Sequence, residues 1–463
     1  MGREAMIRAD MESVGTYSPI FEGTIRQLAK TERELSRAEK TWRENGGQMV
    51  SELVNKTGGK YTAKDPHYAV VDQLRKDVQA LRNQLGLTPT SLRRAKQEAS
   101  HNQGKSRLDE LLEEAHDYAL EHAAAYQAEV DAYVEACISG EANVCVEIRQ
   151  ACERYLRDIQ NPKWEFRTGP ANEIIAIVET TICHQQGEFL DATPLRGTPF
   201  YLLPYHKFIV YNIMGFYITG TQERRFKEAL DFIPRKNIKT TFAAALAWAL
   251  GLYESQSGSK VYEVGGALKQ ALEGFDFLRY NLKRLHVTVD DDPENGLRII
   301  NNNMERSITG DVGEDGFLSI NALAASVDKQ DSFNCNIVIA DEMHTYKTPQ
   351  QYQVLKDATK AYTNSGTVTG DAADSVFVFI AAAPRTDSGE VDYTNPVVLE
   401  SCNPGWGKSI RPQEMINDAQ QAKDDPQLRT EFLQKSLNVF TAALNAWFDI
   451  EEFRRSDQRY DWT

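Results

Sequence analysis

The chain has 463 residues, 41% hydrophobic and 26% charged, the composition of a soluble globular protein of two or three domains. A formal net charge of −15 excludes nucleic-acid binding over the whole surface, while leaving room for a local basic face. The longest apolar runs, Phe242–Leu252 and Val376–Ala383, are too short to span a bilayer, and MGREAMIRADMES lacks the apolar segment of a secretory signal. Cysteines 137, 145, 152, 183, 335 and 402 form no CxxC pair, so a reducing cytosol and core packing of Cys145 and Cys152 are expected.

Residues 1–98 read as a helical segment. A helix from Phe21 breaks at Gly46-Gly47, and the polar link NKTGGKYTAKDP follows. A second helix, Tyr68 to Leu85, stops at Gly86 and Pro89. With its closing phrase LGLTPTSLRRA, this order resembles the C-terminal part of phage terminase small subunits. Residues 99–131 read as a helical linker containing an acidic helical run from Asp109; the Gly104-Lys105-Ser106 within it follows no strand. From Ala132 the order AYVEACISGEANVCVEIRQACERYLRDI resembles the opening of phage terminase large subunits. Arg154 and Asp158, four apart on a helix, read as a surface pair worth a few tenths of a kcal/mol.

Leu202, Pro204, Tyr205 and His206 stand where terminase large subunits carry LxPWQ, whose glutamine reads the adenine edge. The resemblance implies a base contact by His206, which offers fewer donors and acceptors than an amide. Next comes FIPRKNIKTTFAAALAWALGLY, residues 232–253. An apolar strand ends at Pro234, a polar turn carries Arg235, Lys236 and Asn237, and Lys239-Thr240 opens an apolar helix. A phosphate-binding loop has this layout, because inward-pointing amides, a lysine and a hydroxyl meet at a helix N-terminus. Arg235, Lys236, Asn237, Lys239, Thr240 and Thr241 are the candidate ATP-binding residues. The loop departs from GxxxxGK[ST] at Ile233 and Ile238. A β-branched residue resists positive φ, so a working loop is expected to hold Ile238 at negative φ. A filled or splayed loop would favour a non-catalytic protein.

KVYEVGGA (260–267) reads as a second buried strand, LHVTVDDDPENGLRII as strand character around an acidic turn, and Phe317–Ser326 as a further strand or edge. Ile337–Ala340 is a short apolar run ending in Asp341-Glu342, the pattern of a buried parallel strand. Ligands of open α/β sheets sit at the carboxyl ends of strands, which puts these acids beside the phosphate loop. There Asp341, with Thr240, would hold Mg²⁺, and Glu342 would orient or deprotonate the attacking water. Lys239 would neutralise phosphate oxygens, and Arg235 would stabilise charge developing in the transition state. His344 reads as packing or a cap.

Asp374–Pro384 is the next strand. Terminases carry there a Thr- or Ser-containing triplet that couples hydrolysis to movement, whereas this chain has Ala381-Ala382-Ala383. CNPGWGKS resembles a loop that follows the ATPase strands in the family, and Glu431–Asp449 resembles its "eF..k.lN.w" helix.

These phrases, in this order, resemble a tailed-phage terminase large subunit over about 132–463, with an ATPase core at about 200–385. The fold implied is α/β, a P-loop ATPase domain with a mainly parallel sheet flanked by helices, preceded by an all-α N-terminal segment. The resemblance implies a motor that uses ATP and Mg²⁺ to drive double-stranded phage DNA into procapsids. Its partners would be the portal protein and a terminase small subunit, its active form a homo-oligomeric ring, and its location the cytoplasm of the infected host, with no membrane. No nuclease domain or endonuclease activity is expected. The alternatives are a helicase-like P-loop ATPase and a non-catalytic packaging assembly protein.

Overall fold

Ile25, Leu28 and Ala29 fall on one stripe of a highly charged helix, and that stripe is buried in the first of two compact units, Met1–Lys105 and Ser106–Thr463. The computed structural model describes residues 2–13, 17, 21–54, 60–85, 87, 106–326, 334–360, 375–387 and 389–440.

The first unit contains α1 (Arg3–Ser13), α2 (Glu22–Glu44) and α3 (Pro66–Gln84). Ile7, Met11, Val78 and Leu85 complete its core. The backbone amides of His67 and Tyr68 donate to the Asp65 carboxylate, which caps α3. The segment is not all helix. β1 (Val50–Val54), just before the expected polar link, pairs antiparallel with β2 (Lys60–Lys64) inside it. Most of LGLTPTSLRRA lies outside the described residues.

The second unit opens with α4 (Arg107–Ser139), which starts at a Ser106–Asp109 capping box and ends at Gly140 with φ 82°. Its Leu111, Ala115, Tyr126, Val130 and Val134 are buried in the main core, so the expected linker boundary at residue 131 falls inside a packed helix. Next come α5 (Val146–Ile159), β3 (Trp164–Phe166), α6 (Thr168–Thr181), α7 (Pro204–Gly215) and β4 (Phe216–Ile218). The expected surface pair is also corrected. Asp158 is buried and pairs with both Arg154 and Arg225; the Phe226 ring faces both guanidinium groups, and the Phe377 ring faces that of Arg154. All six cysteines are free and buried.

Two groups of strands follow. β5 (Glu228–Phe232) pairs in parallel with β11 (Val376–Ile380). A five-stranded sheet has the order β10 (Ile337–Ala340), β6 (Ser259–Gly265), β9 (Gly316–Ala324), β8 (Arg306–Val312) and β7 (Arg298–Asn301). Its first three strands are parallel and its last two antiparallel. Helix α8 (Lys239–Tyr253) packs on β6, β9 and β10. Its alanines allow close approach, and a Cβ on Gly251 would lie 2.7 Å from Leu318 Cδ1. Trp248 is fully buried and donates its indole N–H to Thr181 Oγ1 at 2.9 Å. Helices α9 (Leu268–Leu285) and α10 (Pro349–Ala358) flank the sheet, while α11 (Pro396–Ser401), α12 (Pro412–Asp424) and α13 (Pro426–Leu437) bury a separate cluster around Leu399, Met415, Phe432 and Leu437. Of the helix expected over 431–449, the described part is helical to Leu437 and leaves the helix at Asn438, which has φ 53°; residues 441–449 lie outside the described residues.

Candidate functional site

The turn between β5 and α8 leaves the strand at Phe232, and α8 begins at Lys239. Lys236 and Ile238 both have positive φ, 65° and 60°. Ile238 is therefore not at the negative φ expected of it but in the conformation favoured by glycine, the residue that GxxxxGK[ST] has before its lysine, so the positive φ does not itself count against a phosphate loop. For an L-residue this costs about 1–2 kcal/mol. The strain persists because the rest of the turn is pinned. Tyr205 OH donates to the Asn237 carbonyl at 2.8 Å, and the Arg235 amide donates to the Lys435 carbonyl at 2.8 Å.

The carboxylate pair stands at the end of β10. Asp341 accepts the Thr240 hydroxyl at 3.1 Å on one oxygen and the Glu342 amide at 2.9 Å on the other. This joins the first turn of α8 to the strand end across 101 positions of sequence. Burial, then the charge of Glu342, raises the Asp341 pKa, with Thr240 and Lys239 opposing. Glu342 has φ 49°, and its carboxylate lies 3.1 Å from His344 Nδ1.

Next to Asp341, the ends of β6 and β10 are laced together. The Asp341 amide and the Tyr346 hydroxyl both donate to the Val264 carbonyl, at 2.9 Å each. Gly266 sits against Thr345, where an added Cβ would lie 1.9 Å from Oγ1. A cleft of about 320 Å³ results, lined by Arg235, Thr240, Gln270, Glu273, Asp341, Glu342, His344 and Thr345. The structure thus brings together four of the residues expected from the sequence: Arg235, Thr240, Asp341 and Glu342. Lys239 and Thr241 are partly buried on the first turn of α8, and Lys236 is exposed on the loop. Arg235 is also exposed, 3.8 Å from Glu431.

Two expected ligand contacts are placed differently. Asn237 is fully buried, and its amide is committed to protein: it donates to Asn403 Oδ1 at 2.9 Å and accepts the Gly405 amide at 2.8 Å. His206 is 1% exposed and stacks on Phe242 with ring centroids 4.3 Å apart. Burial lowers its pKa to about 3, so the ring is neutral and offers no open edge to a base. Sequence reasoning also missed Glu263, in the middle of β6. Its carboxylate lies against Gly274 of α9, and neither oxygen has a hydrogen-bond partner. Burial, then the Asp341 charge, pushes its pKa up to about 8. The signal was present, since a lone acid interrupts the apolar run KVYEVGG.

The donor set suits a hard cation bound through few protein groups. A hydroxyl and a carboxylate already share a hydrogen bond, and among the described residues no cluster of three or more His, Cys, Asp or Glu forms an all-protein cage. Mg²⁺ is commonly held this way, with phosphates completing its shell.

Residues 204–375 match the family model for the terminase large subunit, ATPase domain, and residues 5–102 match that for the phage terminase, small subunit. The chain is 32% identical over 73 residues to Protein YmfN of Escherichia coli (strain K12), a match covering 16% of this chain and 16% of that protein. It is similar to the crystal structure of the HK97 bacteriophage large terminase at 17% identity and a TM-score of 0.46, covering 63% of this chain and 58% of that one. Each match thus spans less than two thirds of the relative's length. The chain is similar to the terminase large-subunit ATPase family over residues 204–375 and to the phage terminase small-subunit family over residues 5–102, the resemblance read from its sequence.

Proposed function

We infer that the chain is an ATP-hydrolysing motor subunit of a phage terminase that packages double-stranded DNA. The observation that carries this reading is the 3.1 Å hydrogen bond from Thr240 to Asp341, which joins a helix-opening hydroxyl to a strand-end carboxylate beside a lysine. Thr240 and Asp341 would hold Mg²⁺, which supplies charge neutralisation at the β- and γ-phosphates. The Lys239 ammonium binds the same phosphate oxygens from the helix N-terminus, where unpaired amides also favour anions. Glu342 orients the attacking water and accepts its proton. Arg235, at the cleft rim, stabilises charge on the transferred group.

His206 and Asn237 support the nucleotide from behind: one fills the core under α8, and the other fixes the loop. DNA contact would use lysines and arginines on phosphates, without reading sequence. Portal docking, ring assembly and the host cytoplasm as location belong to the same reading.

Its test is ATP binding with Mg²⁺ and with EDTA, for the wild type and Asp341→Asn. Wild type is expected to bind about tenfold or more tightly with Mg²⁺, and Asp341→Asn to lose that gain. Equal Mg²⁺ dependence in the two proteins would remove Asp341 from the metal site.

A further inference from the structure

Three contacts fasten the phosphate loop to the layer formed by residues 396–440. The Arg235 amide donates to the Lys435 carbonyl at 2.8 Å. The Asn237 side chain bridges to Asn403 and Gly405, and Asn403 in turn donates to the Ser436 carbonyl at 3.3 Å and the Leu399 carbonyl at 2.8 Å. The third contact is Asn438. Its amide nitrogen donates to the Phe232 carbonyl at 3.1 Å and to the Ala381 carbonyl at 2.9 Å, so one side chain spans the ends of the two paired strands β5 and β11. The backbone closes the same junction, with Ala381 N donating to Phe232 O and Ala383 N to Leu437 O, both at 2.9 Å.

Asn403 and Asn438 are buried, like Asn237, and their amides are used within the protein. Buried polar side chains of this kind persist because leaving either partner unpaired is costly. Asn438 also sits in the left-handed region that Asn tolerates better than most residues, immediately after α13. The strand end at Ala381-Ala382-Ala383 has no side-chain hydrogen-bonding group of its own.

We propose that Asn438 is the positioning residue that couples the phosphate loop to the helices of residues 396–437, by holding the ends of β5 and β11 in one register with α13. It touches no nucleotide and acts through the two strand ends. A displacement of the loop on nucleotide binding or hydrolysis is transmitted along two parallel routes, Asn237 to Asn403 and Phe232 to Asn438, into the same layer. This rests on the ATPase reading above.

The test uses the full chain and the variants Asn438→Gly, which keeps the left-handed backbone and removes the amide, and Asn438→Asp, which keeps the shape and replaces the donor with an acceptor. Mg²⁺-ATP hydrolysis, with and without double-stranded DNA, is measured beside amide hydrogen exchange over residues 396–437 and the melting temperature. In wild type, nucleotide is expected to slow exchange in that layer. In both variants the slowing is reduced, since one of the two routes is cut, DNA-stimulated kcat falls about tenfold, the size of an ordinary coupling, and KM for ATP stays put. A slowing in Asn438→Gly equal to wild type overturns the proposal. So does a rise in KM together with a fall in melting temperature and unchanged stimulation, which marks a merely structural contact. Wild type that hydrolyses ATP without any change in 396–437 refutes the coupling and leaves the ATPase standing. Wild type that neither binds nor hydrolyses ATP ends both.

Discussion

Ile238 offers the sharpest check on the loop. Its φ of 60° places a β-branched side chain where glycine is at ease, while the side chain itself packs partly against the main core. Replacement by glycine relieves about 1–2 kcal/mol of backbone strain. It also loses about 1 kcal/mol of half-buried apolar contact, and the freer unfolded chain costs about 0.5–1 kcal/mol more. Ile238→Gly is therefore expected near wild-type stability. Ile238→Ala loses the same contact and keeps the strain, so it should be destabilised by about 1 kcal/mol. The order Gly above Ala reverses the usual preference, and in a unit of this size it corresponds to about 2 °C in melting temperature. The assay is thermal melting of both variants beside wild type, following the transition that the substitutions shift. Ala at least as stable as Gly would refute the strained-loop account.

Glu263 gives a pH-dependent prediction. Its native pKa, about 8, lies above the ordinary carboxylate value, so the folded chain keeps a proton that the unfolded chain releases. Its contribution to stability is thus fully present at low pH and is lost as pH rises toward 8. Glu263→Gln, melted in EDTA, should equal wild type near pH 4.5 and gain on it by up to about 1.4 kcal/mol per pH unit from there to about pH 8, and no further above it. A constant difference across the range would show that Glu263 does not hold the proton. For DNA, the logarithm of affinity should fall linearly with that of salt, with a slope of about −0.9 per phosphate contacted. A flat response in a titration from low to physiological salt would count against phosphate binding.

The local patterns of the sequence were enough for the elements that build the site. Four apolar residues before Asp341-Glu342 became β10 with the expected bounds and parallel pairing, although the strand is half-buried at the sheet edge and not fully buried as expected, and the apolar run after Lys239 became α8. In both, side-chain periodicity and burial are properties of consecutive residues. What stayed hidden depends on partners far away in the chain. Asn237 reads as a ligand-facing polar residue until Asn403 and Gly405, more than 160 positions on, occupy its amide. His206 reads as a polar substitute for glutamine until Phe242 covers its ring. The Ile238 backbone could not be read from propensity, since propensity opposes the conformation that the surrounding hydrogen bonds impose. The acidic helix taken as a linker buries one face against α6 and α7, and its composition alone reports only the other face.

The most direct test of the central claim is Mg²⁺-dependent ATP hydrolysis by the purified chain, beside Lys239→Ala and Glu342→Gln. The account predicts turnover by wild type, with kcat lost by about a hundredfold or more in Glu342→Gln while ATP still binds, and with binding itself weakened in Lys239→Ala. Wild type without hydrolysis, with or without DNA, or turnover unchanged in both variants, would contradict it.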